Sequence, residues 1–104
     1  MSTVERIIAI PDTPEEAVSF GVAVLDEHAP GWADSVDADT LYMSDGDRCV
    51  LGQLFGGYEY GCDRLGLYDD TPTRCGFNVT GQKPWQPLQD EWKRIITERQ
   101  EAST

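Results

Sequence analysis

The sequence predicts a small, mainly α single domain spanning residues 1–104. It is built from three to four short helices, with a minor two-stranded β element pairing residues 4–10 with 75–80. Three observations carry that prediction. A chain of 104 residues suits one domain. Apolar side chains recur at i, i+3, i+4 spacing in separate stretches. Three Trp and four Tyr lend large burial area to a chain that is only 39% hydrophobic, enough for a core of modest size.

The elements follow in order. Val4–Ile10 (VERIIAI) is short, rich in isoleucine and stopped by Pro11, so it reads as a strand. In Thr13-Pro14-Glu15-Glu16, Thr13 caps a helix, Pro14 suits its first turn and Glu16 completes a capping box. Ala17, Phe20, Gly21, Val24, Leu25 and His28 continue at helical spacing until Ala29-Pro30-Gly31, which fixes the first helix at 14–28. Residues 29–47 are polar and irregular, with Trp32, Leu41 and Met43 as anchors to the core. Asp47 is placed to cap a helix at 48–56, where Leu51, Leu54, Phe55 and Tyr58 follow i, i+3, i+4, i+7 and Gly56-Gly57 ends the run. Tyr58, Cys62 and Leu65 mark a third brief helix closing near Gly66. Cys75, Phe77 and Val79 alternate with polar or small residues, as a strand at 75–80 would. Residues 81–87 form a loop, and a last helix over 88–101 sets Leu88, Trp92, Ile95 and Ile96 on one face. The expected core is Phe20, Val24, Leu51, Leu54, Phe55, Trp92 and Ile96.

Charge narrows the function. Nineteen acids against eight Lys and Arg give a net charge of −11. Direct nucleic-acid binding is therefore not expected, since that affinity comes largely from cations neutralising phosphates. An anionic membrane surface is disfavoured for the same reason, and no apolar run approaches the ~18 residues of a membrane helix. MSTVERII lacks a secretory signal's basic and apolar regions, so a reducing cytoplasm and three free thiols are expected. Between Asp26 and Asp47 stand seven acids and no Lys or Arg. Such a stretch is either a solvated face or a field that steers a basic partner.

Chemistry-bearing patterns are sparse. Cys49, Cys62 and Cys75 lie thirteen residues apart, whereas structural zinc sites take ligands in close pairs, so buried thiols are expected and no metal. Read as a calcium loop starting at Asp37, the sequence puts Leu41, Tyr42 and Arg48 where a ligand, a glycine and a glutamate are required. His28 is the only histidine and sits where it favours a helix C-terminus, not where it pairs with a nucleophile. No phosphate-binding glycine loop occurs. A non-enzymatic protein without cofactor is expected. The segment Phe55-Gly56-Gly57-Tyr58-Glu59-Tyr60-Gly61 sets three aromatics among three glycines, which suits a helix corner or a contact surface.

Four motifs carry a resemblance: Pro30-Gly31-Trp32-Ala33, Cys49-Val50-Leu51-Gly52-Gln53-Leu54-Phe55-Gly56, Gly76-Phe77, and Leu88-x-x-x-Trp92-x-x-x-Ile96. Together they resemble small uncharacterised acidic accessory proteins of actinobacteriophages (mycobacteriophage-like), over about residues 28–99. The resemblance implies a phage accessory protein that works in the host cytoplasm by binding a host or phage protein. It brings no catalytic residue with it. The expected contact uses Tyr58 and Tyr60, with Asp34, Asp37, Asp39, Asp45 and Asp47 aiding encounter. The competing readings are an acidic DNA mimic that inhibits a DNA-binding protein, and a small metal-dependent regulator or enzyme.

Overall fold

A computed structural model describes residues 11, 13–79 and 83–102. In chain order the helices are α1 (Pro14–His28), a 3-10 turn (Trp32–Ser35), α2 (Val50–Phe55), α3 (Tyr58–Leu65), α4 (Thr71–Arg74) and α5 (Gln86–Ala102). The domain is mainly helical, and no strand forms among the described residues. The expected strand at 4–10 lies outside them.

Local chemistry sets the helix ends. The Thr13 side chain accepts the Glu16 backbone N–H at 3.1 Å, and Pro14 opens α1 where no N–H is missed. The predicted bounds of α1 and the observed ones coincide. Helix α2 is shorter than the expected 48–56, and its cap is Cys49 rather than Asp47. The Cys49 Sγ accepts the Gly52 N–H at 3.2 Å, while Asp47 belongs to the preceding turn. Gly56 ends α2 at φ 90, a conformation that a Cβ would strain. Helix α5 begins at Gln86, two residues ahead of the expected start.

Residues 75–79 form a turn, which corrects the expected strand. Cys75 and Phe77 are both buried because Gly76 between them takes φ 74 and reverses the chain. Alternation here comes from a tight turn and not from a pleat. The short helix α4, not foreseen, precedes that turn and packs on α1.

The core gathers around Trp92, which is 0% exposed. Its ring stacks on Phe77 (centroids 5.3 Å, 17°) and meets Trp32 edge-on (5.9 Å, 85°). Its indole Nε1–H donates to the Gly76 carbonyl at 2.6 Å. Helix α1 approaches this ring through Gly21, where a Cβ would collide with the Cys75 carbonyl and come within 2.9 Å of the indole. Val24, Leu51 and Ile96 complete the centre as expected, whereas Phe20, Leu54 and Phe55 are only partly buried and pack at its edge. The anchors Trp32, Leu41 and Met43 are all buried.

Three glutamines hold the irregular stretch between α1 and α2. Gln100 donates to the Ala33 and Val36 carbonyls, Gln89 accepts the Met43 N–H, and Gln53 both accepts from Asp37 N and donates to the Asp37 and Arg48 carbonyls. Asp26 adds a polar clasp across helices. Its carboxylate takes both Arg99 nitrogens at 2.9 and 3.0 Å and the Trp32 indole N–H at 3.0 Å.

Candidate interaction surface

The corner between α2 and α3 is built from the glycine-aromatic segment. Gly56 turns the chain and Gly57 passes it on, so the two helices pack against each other. The Tyr58 backbone N–H then donates to the Gly46 carbonyl at 2.9 Å, which locks the acidic 45–47 turn against the start of α3.

The two tyrosines expected to act together face different ways. Tyr58 is half-buried against the core, and its hydroxyl accepts from Asn78 Nδ2 at 3.3 Å. Burial, with the Cys62 thiol beside it, pushes its phenol up to about 12. Tyr60 is 68% exposed. Its ring folds back over Gly57, where a Cβ would stand 3.0 Å from the ring edge. With Leu54, Phe55, Asp63 and Arg64 it lines a shallow groove of about 490 Å³. Tyr60 is thus the free aromatic of the pair, and Tyr58 is mainly a packing residue.

The acids divide in the same way. Asp37 Oδ1 accepts the Asp39 N–H at 2.9 Å, and Asp45 Oδ1 accepts the Asp47 N–H at 2.8 Å, so both carboxylates shape turns. Asp45 also lies 3.6 Å from the Arg48 guanidinium. The carboxylates of Asp39 and Asp47 stand on exposed residues at the same turns. Each turn is tied to one of the two helices. Gln53, next to Leu54, holds Asp37, and Gly46, between Asp45 and Asp47, holds Tyr58. Asp34 is exposed on the 3-10 turn, which Gln100 ties to α5 through Ala33.

Sequence reasoning missed Asp63 and Arg64, assigned Leu54 to the core, and placed Phe55 both in the core and in the glycine-aromatic segment. A signal was present. Tyr58, Cys62 and Leu65 define the inward face of α3, and Tyr60, Asp63 and Arg64 fall off it by the same period. Tyr42 and Tyr68, at 53% and 59% exposure, are further surface aromatics that no periodic pattern marked.

The thiols are buried and unbridged. Cys49 serves as the α2 cap, and Cys62 and Cys75 pack in the core. Burial raises all three thiol pKa values, that of Cys75 to about 12, which leaves little thiolate for nucleophilic work. His28 is exposed at the end of α1, with Nε2 3.9 Å from the Glu27 carboxylate. Among the described residues, no three His, Cys, Asp or Glu side chains are grouped to hold a metal ion. A larger depression of about 660 Å³ lies between α1, α4 and the start of α5. Its rim mixes Asp69 and Asp70 with Arg74 and Lys83, and Arg74 is bonded to Asp70 at 2.8 Å.

Among the described residues, no helix is long and apolar enough to cross a membrane. Comparison of the chain with protein-family models, curated proteins and solved structures finds no match.

Proposed function

We propose that the protein is a non-enzymatic accessory protein of bacteriophage type that acts in the host cytoplasm by binding a host or phage protein through the α2–α3 corner. One observation carries the reading. Tyr60 is 68% exposed beside Leu54 and Phe55 on an ordered helix, so an aromatic ring and two aliphatic or aromatic neighbours are offered together to a partner. Tyrosine suits this task because its ring buries apolar area while its hydroxyl keeps a hydrogen bond. The raised thiols and the exposed position of His28 supply no activated nucleophile and base in one place.

The test is a tagged pull-down from host cytoplasm with the parent protein and Tyr60→Ser side by side. A partner held by the parent and lost by Tyr60→Ser supports the reading, provided the variant keeps the parent's circular dichroism and melting temperature. Partners retained equally by both proteins overturn it. If Asp39→Asn with Asp47→Asn abolishes capture while Tyr60→Ser leaves it intact, the acidic DNA-mimic reading takes its place.

A further inference from the structure

The depression between α1, α4 and the start of α5 measures about 660 Å³, a size that suits a small molecule. Ala17, Val79 and Leu88 give it apolar walls. Four ionisable side chains line it: Asp69, Asp70, Arg74 and Lys83. Two of them answer each other, since the Arg74 guanidinium donates to the Asp70 carboxylate at 2.8 Å. The other two do not. Among the described residues, neither the Asp69 carboxylate nor the Lys83 ammonium has a hydrogen bond or an ion pair.

The walls are in place without a ligand. Behind α4 the Phe77 N–H donates to the Pro72 carbonyl at 2.9 Å, and Gly76 lies so close to α1 that a Cβ would stand 3.1 Å from the Val18 nitrogen. Ahead of α4, the Thr71 N–H closes a turn on the Tyr68 carbonyl at 3.0 Å, and Asp69 stands within that turn. Its φ of 57 makes it the one non-glycine residue with positive φ among those described, a conformation that persists where the surroundings hold it. Asp69 thus comes from the α4 side of the depression and Lys83 from the α5 side.

We infer that this depression binds a small zwitterion with an apolar body, a free apolar amino acid or a short apolar peptide. Its ammonium pairs with Asp69, its carboxylate with Lys83, and its body lies on Ala17, Val79 and Leu88. Charge selects this class. An anion would meet Asp69, a cation would meet Lys83, and an uncharged apolar molecule would leave both without a partner. The depression shares no lining residue with the α2–α3 groove, so this site stands or falls independently of the contact proposed there.

The experiment is a titration of the full chain, followed by amide chemical shifts in nuclear magnetic resonance. The probes are leucine, leucyl-leucine, and the N-acetylated and C-amidated form of each, at millimolar concentration. Leucine or leucyl-leucine is expected to shift the amides of Ala17, Asp69, Val79 and Leu88 saturably. Binding by leucine assigns the site to a free amino acid, and binding by leucyl-leucine alone assigns it to a short peptide. Blocking either end should weaken binding severalfold. Asp69→Asn keeps a residue type that tolerates the left-handed backbone, and Lys83→Met keeps an unbranched chain; both should melt with the parent. Asp69→Asn should no longer distinguish the free ligand from its N-acetyl form, and Lys83→Met should no longer distinguish it from its amide. Blocked forms that bind the parent as tightly as the free ligand overturn the inference, since both charges would then be idle. Variants that discriminate between the forms as the parent does also overturn it. So do shifts confined to other parts of the chain, or none with either free ligand.

Discussion

Replacing Trp92 with alanine removes the side chain on which α1, the 3-10 turn and the 75–79 turn converge. The ring is 0% exposed, so its whole area is lost from the core, which costs about 3–5 kcal/mol for a buried tryptophan. The stack on Phe77 and the edge contact with Trp32 are part of that figure. The indole donor is a separate matter. The Gly76 carbonyl, on a buried residue, accepts from Nε1 at 2.6 Å, and a carbonyl left without a donor costs about 1–3 kcal/mol. Trp92→Phe isolates this part by keeping most of the ring and removing the N–H. A domain of this size has roughly 5–15 kcal/mol in total. Trp92→Ala is therefore expected to unfold in little or no denaturant, and Trp92→Phe to melt roughly 5–20 °C below the parent. Urea and thermal melts followed by far-ultraviolet circular dichroism are the assay, because Trp92 is itself a fluorophore. An alanine variant within about 1 kcal/mol of the parent would refute the assignment of Trp92 as the centre of the core. A phenylalanine variant equal to the parent would refute the role of the Gly76 bond.

Four further outcomes are expected. Gly21→Ala, which in an exposed helix would add up to about 1 kcal/mol, should instead destabilise, because its Cβ meets the Cys75 carbonyl; a rise in melting temperature would contradict this. Cys49→Ala should lose about 1 kcal/mol of capping, while Cys49→Ser keeps an acceptor for the Gly52 N–H and should lie nearer the parent; equal urea midpoints for the two would remove the capping role. Ellman's reagent should react slowly with the native protein near neutral pH, since burial raises all three thiols, and should titrate three thiols once the chain is unfolded; rapid native reaction would disprove the burial. Arg99 holds the Asp26 carboxyl below its usual range, so the stabilisation it gives is complete above the ordinary carboxylate range and is lost as pH falls through the lowered value. Asp26→Asn should thus be less stable than the parent at neutral pH, with the difference shrinking below about pH 4; a constant difference down to strong acid would refute the pairing.

The parts of the fold legible in the sequence were those with local causes. Thr13, Pro14 and the Ala29-Pro30-Gly31 stop bound α1 without help from the rest of the chain. The left-handed stops at Gly56 and Gly66 are likewise written in residues that tolerate little else there. Where the cause is distant, the pattern misled. Cys75, Phe77 and Val79 alternate like a strand, yet the chain reverses at Gly76, whose carbonyl is held by the Trp92 indole sixteen residues on. At α2, an aspartate is the commoner cap, but Asp47 is held in the 45–47 turn by Asp45 and leaves the task to a thiol. The candidate site was half visible. The segment 55–61 was read as a contact surface, but Tyr58 and Tyr60 separated only when Asn78 and the core claimed Tyr58.

The glutamine ties carry a consequence for how this surface can change. Gln53, Gln89 and Gln100 grip main-chain atoms of the stretch between α1 and α2, at Ala33, Val36, Asp37, Met43 and Arg48. A main-chain atom is the same whichever amino acid carries it. The path of this stretch thereby depends little on its outward side chains, except Asp37 and Asp45, whose carboxylates shape the turns, while Trp32, Ala33, Val36, Leu41 and Met43 face inward. The exposed positions at Asp34, Asp39 and Asp47 can accept other residues while the loop keeps its shape, so the charge of this surface can be changed by substitution without rebuilding the scaffold.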